Sequence, residues 1–366
     1  MFIRHQSYGN GKPGLPATVI VGGFFGDEGK GKIAAYLALE DKPAICVRGG
    51  NGPNAGHTVL YKRVQYSLRL IPSGFVNQSS RLLIGPGVAV DPGILLDEIQ
   101  RTSTKDRIGV DYQTAIIEER HKEQECNSEH LSVKIGSTKK GVGAANAERA
   151  LRMVKLARQV PMLQPYLVDS VGEVQESLAS GERVHVEGTQ GTFLSLYHGT
   201  YPFVTSKDTT ASQACADVGV GPTQVDDVMV IFKSYVTRVG QGPLEGQLDR
   251  DEVLRKGWME YGTVTGRERR AAPFDFHLAK RAVQLNGATQ IALTKLDVLY
   301  PAIKGATSRE SLTSEARDFV TRIERETGVR VTLIGTGPGN EDIIDLRQVK
   351  AGSQGRAKPA LISKQS

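Results

Sequence analysis

The chain has 366 residues, enough for a large core in one or two domains. Hydrophobic residues at 39% and charged residues at 23% are ordinary for a soluble globular protein, and no apolar run reaches the length of a membrane span. The net charge of +6 is interleaved with acids and aromatics are only 6%, so nucleic acid is not an expected partner; an anionic small substrate accounts for the excess.

Residues 1–16 are polar and rich in Gly and Pro, which predicts a loose extension; they lack the apolar core of a signal peptide. Cys46, Cys126 and Cys215 are far apart and odd in number, neither a disulfide framework nor a zinc pattern, and predict a reducing cytoplasm. The first strong signal follows. Thr18-Val19-Ile20-Val21 reads as a buried strand, Gly22 to Lys32 as a glycine-rich loop, and Ile33 onwards as a helix. That order offers backbone N–H groups and a positive helix end to a phosphate. Gly26–Lys32 fits the G-x-x-x-x-G-K half of a P-loop, but Ile33 stands where a P-loop needs Ser or Thr for Mg²⁺. A carboxylate of the loop, Asp27 or Glu28, must replace that hydroxyl.

A second strand, Ala44–Val47, leads into Arg48-Gly49-Gly50-Asn51-Gly52-Pro53-Asn54-Ala55-Gly56-His57-Thr58, a loop at a strand's carboxyl end where open α/β sheets bind ligands. His57, beside Asn54 and Thr58, is a catalytic or phosphate-binding candidate. Short strands and loops are expected over 59–90. A helix is expected from Asp91 to Thr102, with Asp91 as cap and Pro92 at its first position. The charged stretch 117–133 reads as a solvated helix face, with His121 and His130 at the surface.

Lys134–Gly141 is a third anion-friendly loop, and a helix bearing Arg149 and Arg152 follows. Val184–Gly188 is a strand running into Thr189-Gln190-Gly191-Thr192, with Gly199–Ser206 beyond. Met229–Lys233 is a strand leading to Thr237-Arg238-Val239-Gly240. Tyr261–Arg270 gathers hydroxyls, glycine and arginines, a clamp for carboxylates and phosphates. Ile291–Asp297 is a strand ending in T-K-L-D. Its Asp297 can accept from guanine N1 and N2, a donor pair that adenine lacks, while Lys295 packs on the ring face. Val331–Pro338 is the last strand and loop, and the tail 348–366 is polar and basic.

The heptamer Gly26–Lys32 and the pentamer Asn54–Thr58 together resemble the adenylosuccinate synthetase family, in its compact archaeal-type form, and the resemblance runs from about residue 17 to 345. It implies an α/β fold with a mostly parallel central sheet, one catalytic domain over 17–347, and a homodimer. It implies a ligase joining L-aspartate to C6 of IMP with GTP and Mg²⁺, through a 6-phosphoryl intermediate. Asp27 would be base and metal ligand, with Gly56 as second metal contact; His57, Lys30 and Gln190 would complete the catalytic set. Asn54, Thr138, Thr205, Val239 and Arg267 would hold the substrate nucleotide, with Gln190 on its purine and Arg152 reaching in from the partner. Thr265, Arg267 and Arg269 would hold aspartate. GTP would meet Gly29, Lys30, Gly31, Lys32 and Thr58, and beyond them Arg269, Lys295, Asp297, Gly335 and Gly337. The chain departs from the family pattern at Phe24, Phe25, Asn51, Lys139 and Glu268. The departures at Phe24, Phe25, Asn51 and Glu268 keep an alternative open: the phage branch of the family, which uses dGMP to make the 2-amino analogue of the product.

Overall fold

The computed structural model describes residues 17–262 and 266–347; the expected extension 1–16, the tail 348–366 and Thr265 lie outside them. One ten-stranded sheet organises the chain. In chain order its strands are β1 (Ala17–Gly22), β2 (Ile45–Arg48), β3 (Arg81–Ile84), β4 (Ile108–Asp111), β5 (Leu167–Val168), β6 (Val184–Glu187), β7 (Val225–Lys233), β8 (Gln290–Thr294), β9 (Val331–Gly335) and β10 (Ile343–Asp345). Across the sheet they run β10-β9-β8-β7-β1-β6-β2-β3-β4-β5. All neighbours are parallel except β10, which is antiparallel to β9.

β2, β4, β6 and β9 are buried at every position, as expected of parallel strands covered on both faces. The register sets Glu187 beside Arg48 at the carboxyl ends of β6 and β2. Between β6 and β7 the chain crosses from one side of β1 to the other, and crevices at such reversals are where open α/β sheets take ligands.

Helix α1 (Lys30–Asp41) begins after Gly29, whose φ of +88° is open to glycine and costly for other residues. Its Ile33, Ala34 and Leu37 pack on Ile20, Ile231 and Leu333, while Ala35 and Ala38 join a second cluster around Leu70 and Phe75. A helix buried on two sides carries small residues on the crowded ones. Gly22 has the same logic: a Cβ there would lie 2.4 Å from a Glu28 carboxylate oxygen and 2.5 Å from the Gln190 carbonyl. Helix α2 (Pro92–Thr102) starts as expected, with Asp91 accepting from the amides of Gly93 and Ile94 at 3.0 and 3.2 Å. Such a cap contributes about 1 kcal/mol.

The reading of 117–133 as a solvated face needs correction. Helix α3 (Glu119–Asn127) turns His121 and Glu125 inward, both buried. They stand four residues apart, hence on one face, and meet α4 (Val142–Ala150). His121 Nε2 lies 3.0 Å from Glu148, and its Nδ1 accepts the Glu118 amide. Glu125 accepts from the Gly143 amide at 2.8 Å and the Ser137 hydroxyl at 2.9 Å. Polar partners on α4 are what let these residues be buried. His130 is exposed, as expected. The departure at Phe24 is a core residue: its ring packs 4.8 Å from Phe232 and 5.2 Å from Phe274. Phe25 lies under the Arg238 guanidinium at 4.5 Å.

Candidate functional site

A cleft of about 370 Å³ opens at the carboxyl ends of the central strands. Asp27 and Lys30 reach it from the loop after β1, and Asn54, Gly56 and His57 from the loop after β2. Gln190 and Thr205 come from beyond β6; Val239 and Arg267 come from beyond β7. Thr138 closes the far side. Loops remote in sequence converge because each follows a strand of one parallel sheet.

The loop after β1 separates the two carboxylates that the sequence left as alternatives. Glu28 turns inward. One oxygen accepts the amides of Phe24 and Gly26 at 3.0 and 2.8 Å, and the other meets Lys30 Nζ at 3.0 Å. Asp27 faces the cleft. Its φ of +61° is unusual for a non-glycine residue, and Gln190 (+55°), Lys295 (+56°) and Arg152 (+63°) share the feature. Among the described residues nine non-glycine positions have such a φ, and at Asp27 and Gln190 the backbone is bent against preference beside the cleft. Lys30 Nζ also donates to the Gln190 carbonyl, tying the loop after β1 to the loop after β6. Asp27 pairs with Arg269 Nη2 at 2.8 Å. Burial pushes the Asp27 carboxyl above its ordinary value, against the pull of Arg269, Lys233 and Lys30.

His57 is buried, and its Nδ1 meets Glu187 and, at 2.6 Å, Arg48 Nη1. Glu187 also accepts from the Ser73 amide at 2.6 Å and hydroxyl at 2.7 Å. His57 Nε2 is buried and has no protein partner among the described residues. Burial and the Arg48 charge push the imidazole down to about 4, against the opposing pull of Glu187. At neutral pH the ring is therefore uncharged. When Nδ1 accepts from Arg48, the proton sits on Nε2 as a donor without a protein acceptor.

Toward Thr138 the cleft is lined by hydroxyls and amides. Thr205 Oγ1 accepts from Asn51 Nδ2 and, at 3.2 Å, from Asn54 Nδ2. Asn51 Oδ1 in turn accepts from Asn146 at 2.9 Å, so the departure at Asn51 is absorbed into a side-chain ladder. Arg267 Nη2 donates to the Gly136 carbonyl at 2.9 Å across the cleft mouth. Arg152 does not join the cleft of its own chain: it is exposed and donates to the Ala150 carbonyl at 2.8 Å.

The remaining candidates form an outer group. Lys32 Nζ donates to the carbonyls of Gly337 and Asp342 at 2.5 and 2.8 Å, beside Gly335. Burial brings the Lys32 ammonium down to about 8, against Asp342 and Asp297. Gly29 lies against Thr294. Gly31 packs so closely that a Cβ would lie 2.8 Å from the Thr58 carbonyl, and Thr58 itself is exposed. Asp297 is half-buried, with burial raising its carboxyl. Arg269 is buried, and Lys295 reaches Glu260 at 2.6 Å. Glu268 points outward and pairs with Arg250 at 3.3 Å.

Sequence reasoning gave no role to Glu187, Glu260 or Arg48. Each is an ordinary strand or loop residue in its local context, and its partners lie up to 139 residues away. An ionisable residue at the end of an otherwise apolar buried strand, as in Val184–Glu187, is the signal that could have found Glu187.

The family model for adenylosuccinate synthetase matches residues 19–159 and 152–304. Over 336 residues the chain is 52% identical to the adenylosuccinate synthetase of Methanocaldococcus jannaschii, an alignment covering 91% of this chain and 97% of that one. It is also 52% identical to the adenylosuccinate synthetase of Archaeoglobus fulgidus, covering 92% and 100%. The fold is similar to the fully ligated adenylosuccinate synthetase of Plasmodium falciparum, with a TM-score of 0.84, 25% identity and 90% and 99% coverage. It is also similar to the succinoaminodeoxyadenylate synthetase of cyanophage S-2L bound to dGMP and dATP, with a TM-score of 0.75, 26% identity and 90% and 95% coverage. Relatives matched over nearly their whole length, on a sheet that gathers the expected loops, settle the placement: the chain belongs to the adenylosuccinate synthetase family, ligases that form a C–N bond.

Proposed function

We propose that this chain joins L-aspartate to C6 of IMP, converting GTP to GDP and phosphate through a 6-phosphoryl intermediate. The observation that carries this reading is the pairing, in one cleft, of a cleft-facing carboxylate at Asp27 with a buried, unpartnered Nε2 at His57. The C6 oxygen of IMP is a poor leaving group. Asp27 takes the N1 proton, O6 attacks the γ-phosphorus, and GDP departs. His57 donates from Nε2 to the oxygens between the β- and γ-phosphorus, and Lys30 offsets the charge of the phosphoryl group in flight. The aspartate amine then attacks C6, and phosphate leaves with O6. Gln190 orients the purine. The raised Asp27 carboxyl suits a base that must gain a proton.

Asn54, Thr138, Thr205, the Val239 carbonyl and Arg267 hold the monophosphate and ribose. Thr265, Arg267 and Arg269 hold aspartate, and the outer group takes GTP with Asp297 on the guanine. Among the described residues no three His, Cys, Asp or Glu side chains converge as a metal cluster. The donors that fit Mg²⁺ are the Asp27 carboxylate and the Gly56 carbonyl, hard oxygens to which phosphate and water oxygens are added. The ion would neutralise phosphate charge. Among the described residues no helix is long and apolar enough to cross a membrane. We read residues 17–347 as one catalytic unit acting in the cytoplasm as a homodimer. The exposure of Arg152, which does not line its own cleft, supports its donation to the partner's phosphate site.

The test is purified protein with GTP, aspartate and Mg²⁺, offered IMP, GMP and dGMP separately, with product mass measured. Adenylosuccinate from IMP is the expected product. Product from dGMP alone would overturn the choice of IMP in favour of the phage-type activity.

A further inference from the structure

Glu260 takes no part in the chemistry above, yet it gathers three cations and a phenol on one buried carboxylate. One oxygen meets Lys233 Nζ at 2.9 Å and Arg269 Nη1. The other meets Lys295 Nζ at 2.6 Å and the Tyr235 hydroxyl. Glu260 is 9% exposed. Tyr235 is stacked on Trp258 at 4.6 Å and 10°, which holds the phenol in place. Lys233 is fully buried at the end of β7. The backbone adds a second tie, since the Arg269 amide donates to the Glu260 carbonyl at 2.9 Å.

The two principal cations lead in different directions. Arg269 extends to Asp27 in the cleft, and Lys295 belongs to the outer group with Asp297. We infer that Glu260 is a positioning residue that couples the guanine-reading end of the site to its reacting end, holding Lys295 through one carboxylate oxygen and Arg269 through the other. The inference rests on the proposed function, because it takes Lys295 to lie against the base of GTP. Its physical content is charge. One carboxylate faces three cations, so the cluster stays positive and receptive to a triphosphate while the cations keep fixed positions. Without that carboxylate, Lys233, Arg269 and Lys295 repel one another, and the two outer ones move apart. A side chain that only fills space would be replaced well by glutamine, which matches glutamate in volume but carries no charge.

The experiment is a double-mutant cycle on Glu260→Gln and Lys295→Met, read by the Kd for a fluorescent GTP analogue without turnover and by steady-state KM and kcat. Glu260→Gln is expected to weaken GTP by about tenfold or more, the scale of losing charge-assisted bonds, while the KM for IMP moves less than about threefold. In the Lys295→Met background most of the Glu260→Gln effect on GTP should vanish. Glu260→Asp, which keeps the charge, should recover most of the affinity. Additive effects in the cycle, or equal losses for Asp and Gln, would overturn the inference and leave Glu260 a packing residue. If the unmodified protein neither binds GTP nor consumes it, the proposed function fails with the inference. If it does both and the cycle is additive, the inference alone fails.

Discussion

The floor of the cleft and its rim are built on different plans. On the floor each working side chain is held by a buried carboxylate, directly or through a cation: Lys30 by Glu28, His57 by Glu187 through Arg48, Arg269 by Glu260. Glu28 and Glu187 come from the loop after β1 and the end of β6, so the sheet itself fixes their geometry, and Glu260 is tied to Arg269 by a backbone hydrogen bond as well. At the rim, Thr138 and Arg267 sit on loops, Arg267 leans on a backbone carbonyl, and Glu268 is exposed. The floor is set before any ligand arrives, as electrostatic catalysis requires. The rim has polar groups that a ligand must complete. Damage at the Glu28 and Glu187 grips should therefore appear in kcat and damage to the rim in KM, while damage at Glu260, which also holds Lys295 of the outer group, should reach GTP affinity.

The largest expected effect is at Asp27. Asp27→Asn should abolish turnover, by about a thousandfold or more, while nucleotide binding survives, since the phosphates are held by backbone and lysine. Steady-state rates and a nucleotide Kd check it; activity within tenfold of the unmodified protein would remove Asp27 from the base role. His57→Asn should follow, costing about a hundredfold or more in kcat with little change in KM. If KM moved and kcat did not, the distinction between floor and rim would break at its best-defined residue.

Asp297→Asn should act on selectivity. An amide donor replaces a carboxylate acceptor, so GTP weakens and xanthosine triphosphate, with oxygen in place of the 2-amino group, gains. Competition between the two triphosphates reads it, and an unchanged GTP preference would place base reading elsewhere. The smallest effect is expected at Glu268. Its carboxylate faces Arg250 at the surface with its side chain 41% exposed. Glu268→Arg should lower the KM for aspartate by no more than about threefold, because an exposed charge is screened. A rise in that KM would show Glu268 to be part of the site.

What could be read in the sequence was local. The strand, loop and helix from Ala17 to Asp41, the Asp91 cap with Pro92, and the T-K-L-D turn after β8 each depend on residues within a few positions of one another. Their spacing therefore carries the geometry. The grips on the floor could not be read. Glu187 meets His57 across 130 residues and Glu260 meets Lys295 across 35, contacts that only the tertiary fold brings together. The same reason explains His121: a charged helix reads as solvated until the partner on α4 is known. Phe24 reads as a departure near the phosphate loop, and only the fold reveals it as packing between Phe232 and Phe274.

Transfer of the γ-phosphoryl group to O6 can be followed through one oxygen atom. With IMP labelled with ¹⁸O at C6, and with GTP, aspartate and Mg²⁺ present, the label should leave in inorganic phosphate, one atom per adenylosuccinate formed. Labelled water beside unlabelled phosphate would mean that O6 never attacked the γ-phosphorus, and the roles of Asp27 as base and His57 as donor would fall with it.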